Sequence, residues 1–134
     1  MDITQRKFRV SVDAKDQLIR LKRYSRIKQW NILSRWALCR SLAETTAPSP
    51  APLPMMSNVE MSWTVFAGAQ SDALVSLLRQ RCFEDGLDTD DNTLFEQFRL
   101  HLHRGIAYLA SESDKSIEAL VQMGLENWES ENPV

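Results

Sequence analysis

Eleven lysines and arginines fall within residues 1–43, against three acids, whereas residues 44–134 hold five bases and fifteen acids. The formal net charge of −2 therefore joins a surplus of eight positive charges to an excess of ten negative ones. Such asymmetry between chain halves points to nucleic acid or another anionic surface. The chemistry on offer is ion pairing with phosphate, in which each neutralised phosphate releases condensed counterions and makes affinity fall with salt. The candidate DNA-contacting residues are Lys7, Arg9, Arg20, Arg23, Arg26, Lys28 and Arg35. Part of this set is expected to pair instead with the acids of the second half.

Other groupings offer less. His101 and His103 lie two apart, which places them on different sides of a helix, whereas shared metal ligation favours spacings of three or four. One imidazole is expected inside and the other at water. Asp88, Asp90 and Asn92 alternate as in a calcium loop, but Thr93 stands where the glycine is required and Arg99 where the bidentate glutamate belongs. An acid-rich helix N-terminus explains that run better. Cys39 and Cys82 sit in apolar helical patterns and read as buried thiols of a reducing cytoplasm. No phosphate-binding loop or dinucleotide fingerprint occurs. No enzyme activity, cofactor or metal is expected. Trp30, Trp36, Trp63 and Trp128 read as interior or interface anchors, with Trp30 the best candidate to meet an exposed base.

The elements that position these residues divide at "ETTAPSPAPLP" (44–54), which carries four of the five prolines. Proline fixes φ and removes a backbone donor, so the segment reads as an extended connector. The organisation is a basic strand–helix–helix unit at 1–43, a connector at 44–57 and an acidic helical unit at 58–134. Forty-three residues cannot hold a core alone, so the first unit must pack on the second, on another copy, or on both. Phe8, Val10 and Val12 alternate with Lys7, Arg9 and Ser11, a half-buried strand with Lys7, Arg9 and Ser11 on its outer face. Asp13 reads as the cap of a helix with Leu18, Ile19 and Leu21 inside. A turn near Ser25 to Gln29 leads to a second helix, capped near Asn31, whose apolar stripes run through Leu33, Trp36 and Ala37 and through Ile32, Trp36, Cys39 and Ala43. "VEMSWTVF" (59–66) is a strand or an irregular packing segment. Ser71 caps a helix with Leu74, Leu77, Leu78 and Cys82 inside and Gly86 past its end. Leu94, Phe95, Phe98, Leu102, Ile106 and Leu109 mark another, and Ile117, Leu120, Val121 and Trp128 a separate last helix. The fold class is mainly α, with a short N-terminal strand followed by helices. The "MSWTVFAGA" stretch is far shorter than the about 20 residues that span a bilayer, and no secretory leader is visible at the N-terminus. A cytoplasmic protein with no membrane partner is expected.

A five-residue strand needs a pairing partner. Two copies paired antiparallel form a ribbon that fits the major groove of DNA, and in this respect the N-terminal unit resembles the ribbon-helix-helix proteins. Longer strings carry a closer resemblance. "AKDQLIRLKRYSRIKQWNILSRWALCRSLAE", "SNVEMSWTVFAG" and "LLRQRCFEDGLDTDDNTLFEQFRLHLHRGIAYLA" are similar to the DndE family of the DNA phosphorothioation, or DNA sulfur modification, system, from about residue 7 to 110. The resemblance implies a non-catalytic, tetrameric protein of the bacterial cytoplasm that binds duplex DNA with a preference for nicks and works beside other sulfur-modification proteins. One departure is "YSRIK", where a glycine-containing turn is expected. The tail at 111–134 lies outside the similar region. The competing readings are a sequence-specific ribbon-helix-helix regulator or antitoxin, and a structural adaptor whose basic residues serve protein interfaces.

Overall fold

The computed structural model describes residues 1–131, with side chains for residues 1–112. After a 3-10 turn at Ile3–Gln5 come strand β1 (Lys7–Ser11), helix α1 (Val12–Ser25) and helix α2 (Trp30–Leu42). Strand β2 (Met56–Ser62), the short helix α3 (Trp63–Ala67), a second 3-10 turn (Gly68–Gln70), helix α4 (Ser71–Glu84) and helix α5 (Asp91–Glu131) complete the chain. The architecture is mainly α with one two-stranded sheet near the N-terminus.

The alternation in β1 buries Phe8 and Val10 and exposes Lys7 and Arg9. Its partner is β2 of the same chain, antiparallel, so the ribbon closes within one molecule rather than between two copies. Arg9 stands opposite Glu60 and Ser11 opposite Met56, with the register shifted between them. The slack is taken up by Ser57, whose hydroxyl donates to the Val10 carbonyl at 2.8 Å. Ser11 is buried, not on the outer face, because it is the true cap of α1: its hydroxyl accepts from the Ala14 amide at 3.0 Å. Asp13, the expected cap, lies in the first turn, where the helix dipole favours an anion.

Helix α5 is the spine of the molecule. Leu94, Phe98, Leu102 and Ile106 recur every fourth residue and are fully buried. The helix is a single element of 41 residues, about 60 Å at 1.5 Å per residue. The two helices expected from residue 91 onward are therefore one. "SESDKS" holds cap-like serines but no glycine or proline to break the ladder. The side chains of Ile117, Leu120, Val121 and Trp128 lie outside the described residues. At the base of α5, Phe98 meets Phe8, Trp63 and Phe66 edge to face, with centroids 4.9, 5.2 and 5.1 Å away. This cluster seats the ribbon and α3 on the spine, and residues of both chain halves share one core.

Helix α2 crosses α5 so closely that a Cβ on Gly105 would stand 1.7 Å from the Ala37 carbonyl oxygen. Backbone contact of this kind admits only small residues, and α2 turns Ser34, Ala37 and Ser41 inward with Leu33 and Leu38. The consequence overturns the expected stripe. Trp36 is 57% exposed and Cys39 also faces out. Helix α2 starts at Trp30 without a side-chain cap. In α4, Leu74, Leu78 and Cys82 are buried as the spacing predicts, but Leu77 is 51% exposed. Ser71 is the first residue of α4 rather than its cap, and its hydroxyl accepts from the Trp63 indole at 2.9 Å.

Candidate nucleic-acid interface

The basic residues fall into two groups, one ahead of α1 and one on its second half and the turn that follows. Fourteen residues of helix span about 20 Å, roughly six steps of duplex at 3.4 Å each. Before α1, Lys7 and Arg9 stand on the exposed side of the ribbon. On α1 and just after it, Arg20, Arg23, Arg26 and Lys28 are all exposed. Lys7, Arg23, Arg26 and Lys28 form no ion pair with any described residue. Arg9 does, with Glu60 across the ribbon at 3.1 Å, but both side chains are well exposed, and such a pair is worth little. Lys22 is held differently, its ammonium 4.9 Å above the Trp30 ring. Arg35 is half-buried and donates to the Ala67 carbonyl at 3.2 Å, bracing the end of α3. The structure thus brings six of the seven candidates to open surface and gives the seventh an internal task.

The turn between α1 and α2 shows how "YSRIK" does without glycine. Arg26 closes α1 in the left-handed conformation, φ 63° and ψ 7°, with its amide bonded to the Lys22 carbonyl at 3.1 Å. Ser25 supports the turn, its hydroxyl donating to the Leu21 carbonyl at 2.6 Å and accepting from the Ile27 amide at 3.1 Å. A residue with a Cβ is strained there. The gain is a guanidinium at the tip of the turn, beside the negative end of the α1 dipole.

Two further arginines, which sequence reasoning did not single out, hold the end of α2. Arg81 is buried, paired with Asp85 at 3.1 Å, and donates to the Leu42 and Thr46 carbonyls at 2.9 and 2.7 Å. Arg104 donates to the Ser41 hydroxyl and carbonyl and to the Thr46 carbonyl, each at 2.8 Å. Helix C-termini leave carbonyls without intrahelical partners, and these two side chains supply the missing donors. Nothing in local sequence marks such long-range caps.

Both histidines are engaged inside, so neither is the water-facing one expected. The Ser41 hydroxyl accepts from Arg104 Nε at 2.8 Å and shares a hydrogen bond with His101 Nδ1, 2.8 Å away. Burial, with Arg104 and Arg81 nearby, pushes His101 down to about 4. His103 accepts from the Ser11 amide at Nε2 (3.0 Å) and donates from Nδ1 to the Arg99 carbonyl (2.7 Å). Burial lowers its pKa too. The acidic run is a helix start: Asp90 accepts from the Thr93 amide at 2.8 Å. The Thr93 hydroxyl and amide hold the Asp90 carboxyl below its usual range. Of the two thiols Cys82 is buried, and burial raises its pKa, whereas Cys39 is exposed, against expectation. No helix among the described residues is long and apolar enough to cross a membrane.

The sequence model of the family described as "DNA sulphur modification protein DndE" matches residues 7–116. Among solved structures, DndE from Escherichia coli B7A, involved in DNA phosphorothioation modification, is similar at 25% identity and a TM-score of 0.64, over 77% of this chain and 94% of that one. A DndE glycine-to-lysine mutant, involved in DNA phosphorothioation, is similar in fold at 24% identity and a TM-score of 0.59, over 78% of this chain and 96% of that one. Among curated proteins none matches significantly.

Proposed function

This chain belongs to the DndE family of DNA sulfur modification, and from that membership we propose that it is a non-catalytic, cytoplasmic accessory subunit that binds duplex DNA, with preference for nicks, as a homotetramer. The observation that carries the DNA contact is the set Lys7, Arg23, Arg26 and Lys28, exposed and free of carboxylate partners among the described residues. Arg9 and Arg20 extend it, and Arg35 stands behind it. The rival adaptor, whose basic residues would serve protein interfaces, predicts no salt-sensitive DNA binding by the isolated oligomer. Against the regulator reading stands the pairing of β1 with β2 of its own chain, and a palindrome-against-random competition assay would decide between them.

The two basic groups, one ahead of α1 and one on its second half and the following turn, are placed to grip phosphates on either side of a flexible point. A nicked duplex bends at smaller cost than an intact one, so it reaches both groups more easily. Binding to intact, nicked and pre-bent duplexes across a salt series tests this reading. The nicked and pre-bent forms are expected to bind more tightly than the intact one, with log affinity falling by about 0.9 per phosphate for each decade of salt. Replacing Arg23, Arg26 and Lys28 together with Ala is expected to lower that slope by about 3 without dissociating the oligomer. Equal affinity for the three duplexes refutes the nick preference. An unchanged slope, or subunits that fall apart, assigns the basic turn to an interface instead.

A further inference from the structure

The ribbon and α5 enclose a cleft of about 290 Å³ that the contacts above leave unexplained. Its cations are Lys7, Arg9 and Arg99, and its apolar floor is Phe8, Met56 and Phe95, with Glu60 at the edge. Phe95 is fixed in place. The Arg6 guanidinium lies 4.8 Å over its ring, tethered to the Met1 carbonyl at 2.8 Å and the Asn92 side chain at 2.7 Å. Arg99 reaches over the same ring at 6.0 Å and lies 3.5 Å from the exposed Glu96 and 3.8 Å from the Met56 sulfur, so a phosphate here would compete with weak contacts only. Among the described residues Arg9 pairs with Glu60.

Three cations around an aromatic floor suit a ligand with an anionic group joined to a flat apolar one. An acidic peptide would use the cations but would need an adjoining apolar side chain to fill the floor. A nucleotide uses both, its phosphate on the guanidinium and ammonium groups and its base against Phe95 and Met56, as single-stranded DNA does on other proteins. The volume lies just under the range of small-ligand sites, on the scale of a single nucleotide. We propose that this cleft seats one unstacked nucleoside phosphate, either free or as the unpaired end of a DNA strand. For the strand end this rests on the DNA-binding reading of Lys7 and Arg9. Glu60 opposes the ligand, since a phosphate entering the cleft must displace its carboxylate from Arg9.

The test compares a blunt duplex with the same duplex bearing a one-nucleotide 5′-phosphorylated overhang, and titrates free dAMP in parallel. The wild-type protein is expected to prefer the overhang by about tenfold, the range of one base stacked on an aromatic ring. Phe95→Leu, which keeps an apolar side chain, and Arg99→Gln are each expected to remove that preference, while Glu60→Gln strengthens it. The triple Ala variant of Arg23, Arg26 and Lys28 is expected to weaken both duplexes alike and leave their ratio intact. Thermal melts identify any variant that fails to fold, and Arg99→Gln, on the surface, keeps the test alive if Phe95→Leu does. Binding of dAMP that disappears in Phe95→Leu and Arg99→Gln, without an overhang preference, supports the free nucleotide as occupant. Failure of the wild type to bind either duplex refutes the DNA reading and the strand-end occupant, with dAMP then deciding the free one. Equal binding of the two duplexes together with no dAMP binding overturns the proposal, as does an overhang preference or dAMP binding that neither variant alters.

Discussion

Arg26 supports a prediction that separates backbone strain from charge. At φ 63° an L-residue costs about 1–2 kcal/mol relative to its right-handed form, and glycine escapes that cost. Glycine also makes the unfolded chain more flexible, which offsets about 0.4–1 kcal/mol. Removing the guanidinium from the α1 terminus forfeits a further few tenths of a kcal/mol, screened by salt. Arg26→Gly alone mixes all three contributions, so the informative quantity is its difference from Arg26→Ala, which loses the same charge but keeps the strain. Arg26→Gly should be more stable than Arg26→Ala by about 1 kcal/mol. For a chain of this size that is about 3–5 °C in Tm, read by circular dichroism at one protein concentration. The two variants should lose DNA affinity equally, each lowering the salt slope by about 1. Equal stability of the two, or a more stable Ala variant, would refute the account of the turn. Unequal DNA binding would show that the turn's shape, and not its charge alone, meets the DNA.

Other predictions concern the α2–α5 contact. Gly105→Ala drives a Cβ into the Ala37 carbonyl and should cost about 3 kcal/mol or prevent folding, as read by urea unfolding. Ser41→Ala removes the partner shared by Arg104 Nε and His101 Nδ1 and should cost about 1–3 kcal/mol, measured in the same way. His101 is held at about 4 when folded against 6.5 as its ordinary value. The unfolded chain then binds the extra proton first, so stability is full above pH 6.5 and declines as pH falls towards 4. The loss is on the order of 3 kcal/mol, and His101→Gln should flatten that slope in urea titrations between pH 7 and 4.

Alternation in "KFRVSV" shows which residues of β1 face outward until Ser11, where the helix cap takes over and turns the side chain in. The four-residue recurrence of Leu94, Phe98, Leu102 and Ile106 identifies the spine, because one face of a long helix carries the whole core. Helix α2 misleads for a physical reason. Its inner face is chosen by how closely it must approach Gly105, so serines go inside and a tryptophan goes out, the reverse of a hydrophobicity argument. Ser34, buried with no hydrogen-bond partner among the described residues, shows size prevailing over polarity. The pairing of β1 with β2 was legible only as an ambiguity, since "VEMSWTVF" mixes a strand with the first turn of α3. The basic surface was visible in the charge count, whereas the cleft was not. Its Phe95 and Arg99 lie some ninety residues from Lys7 and Arg9 and share no local pattern with them. Arg81 and Arg104 were invisible for the same reason, as their partners are main-chain carbonyls, which every residue has.

Those two arginines also change what the proline segment is for. They fasten the chain at Leu42 and Thr46, and the ribbon fastens it again from Met56. Between these anchors the chain touches down twice more, with Pro48 buried and the Met55 carbonyl accepting from the Val12 amide at 2.9 Å, so both ends of the segment are already fixed in space. The covalent link there contributes little beyond keeping the halves at high effective concentration. A chain cut within Ser49–Pro54 should remain a single working particle, its halves parted only by denaturant.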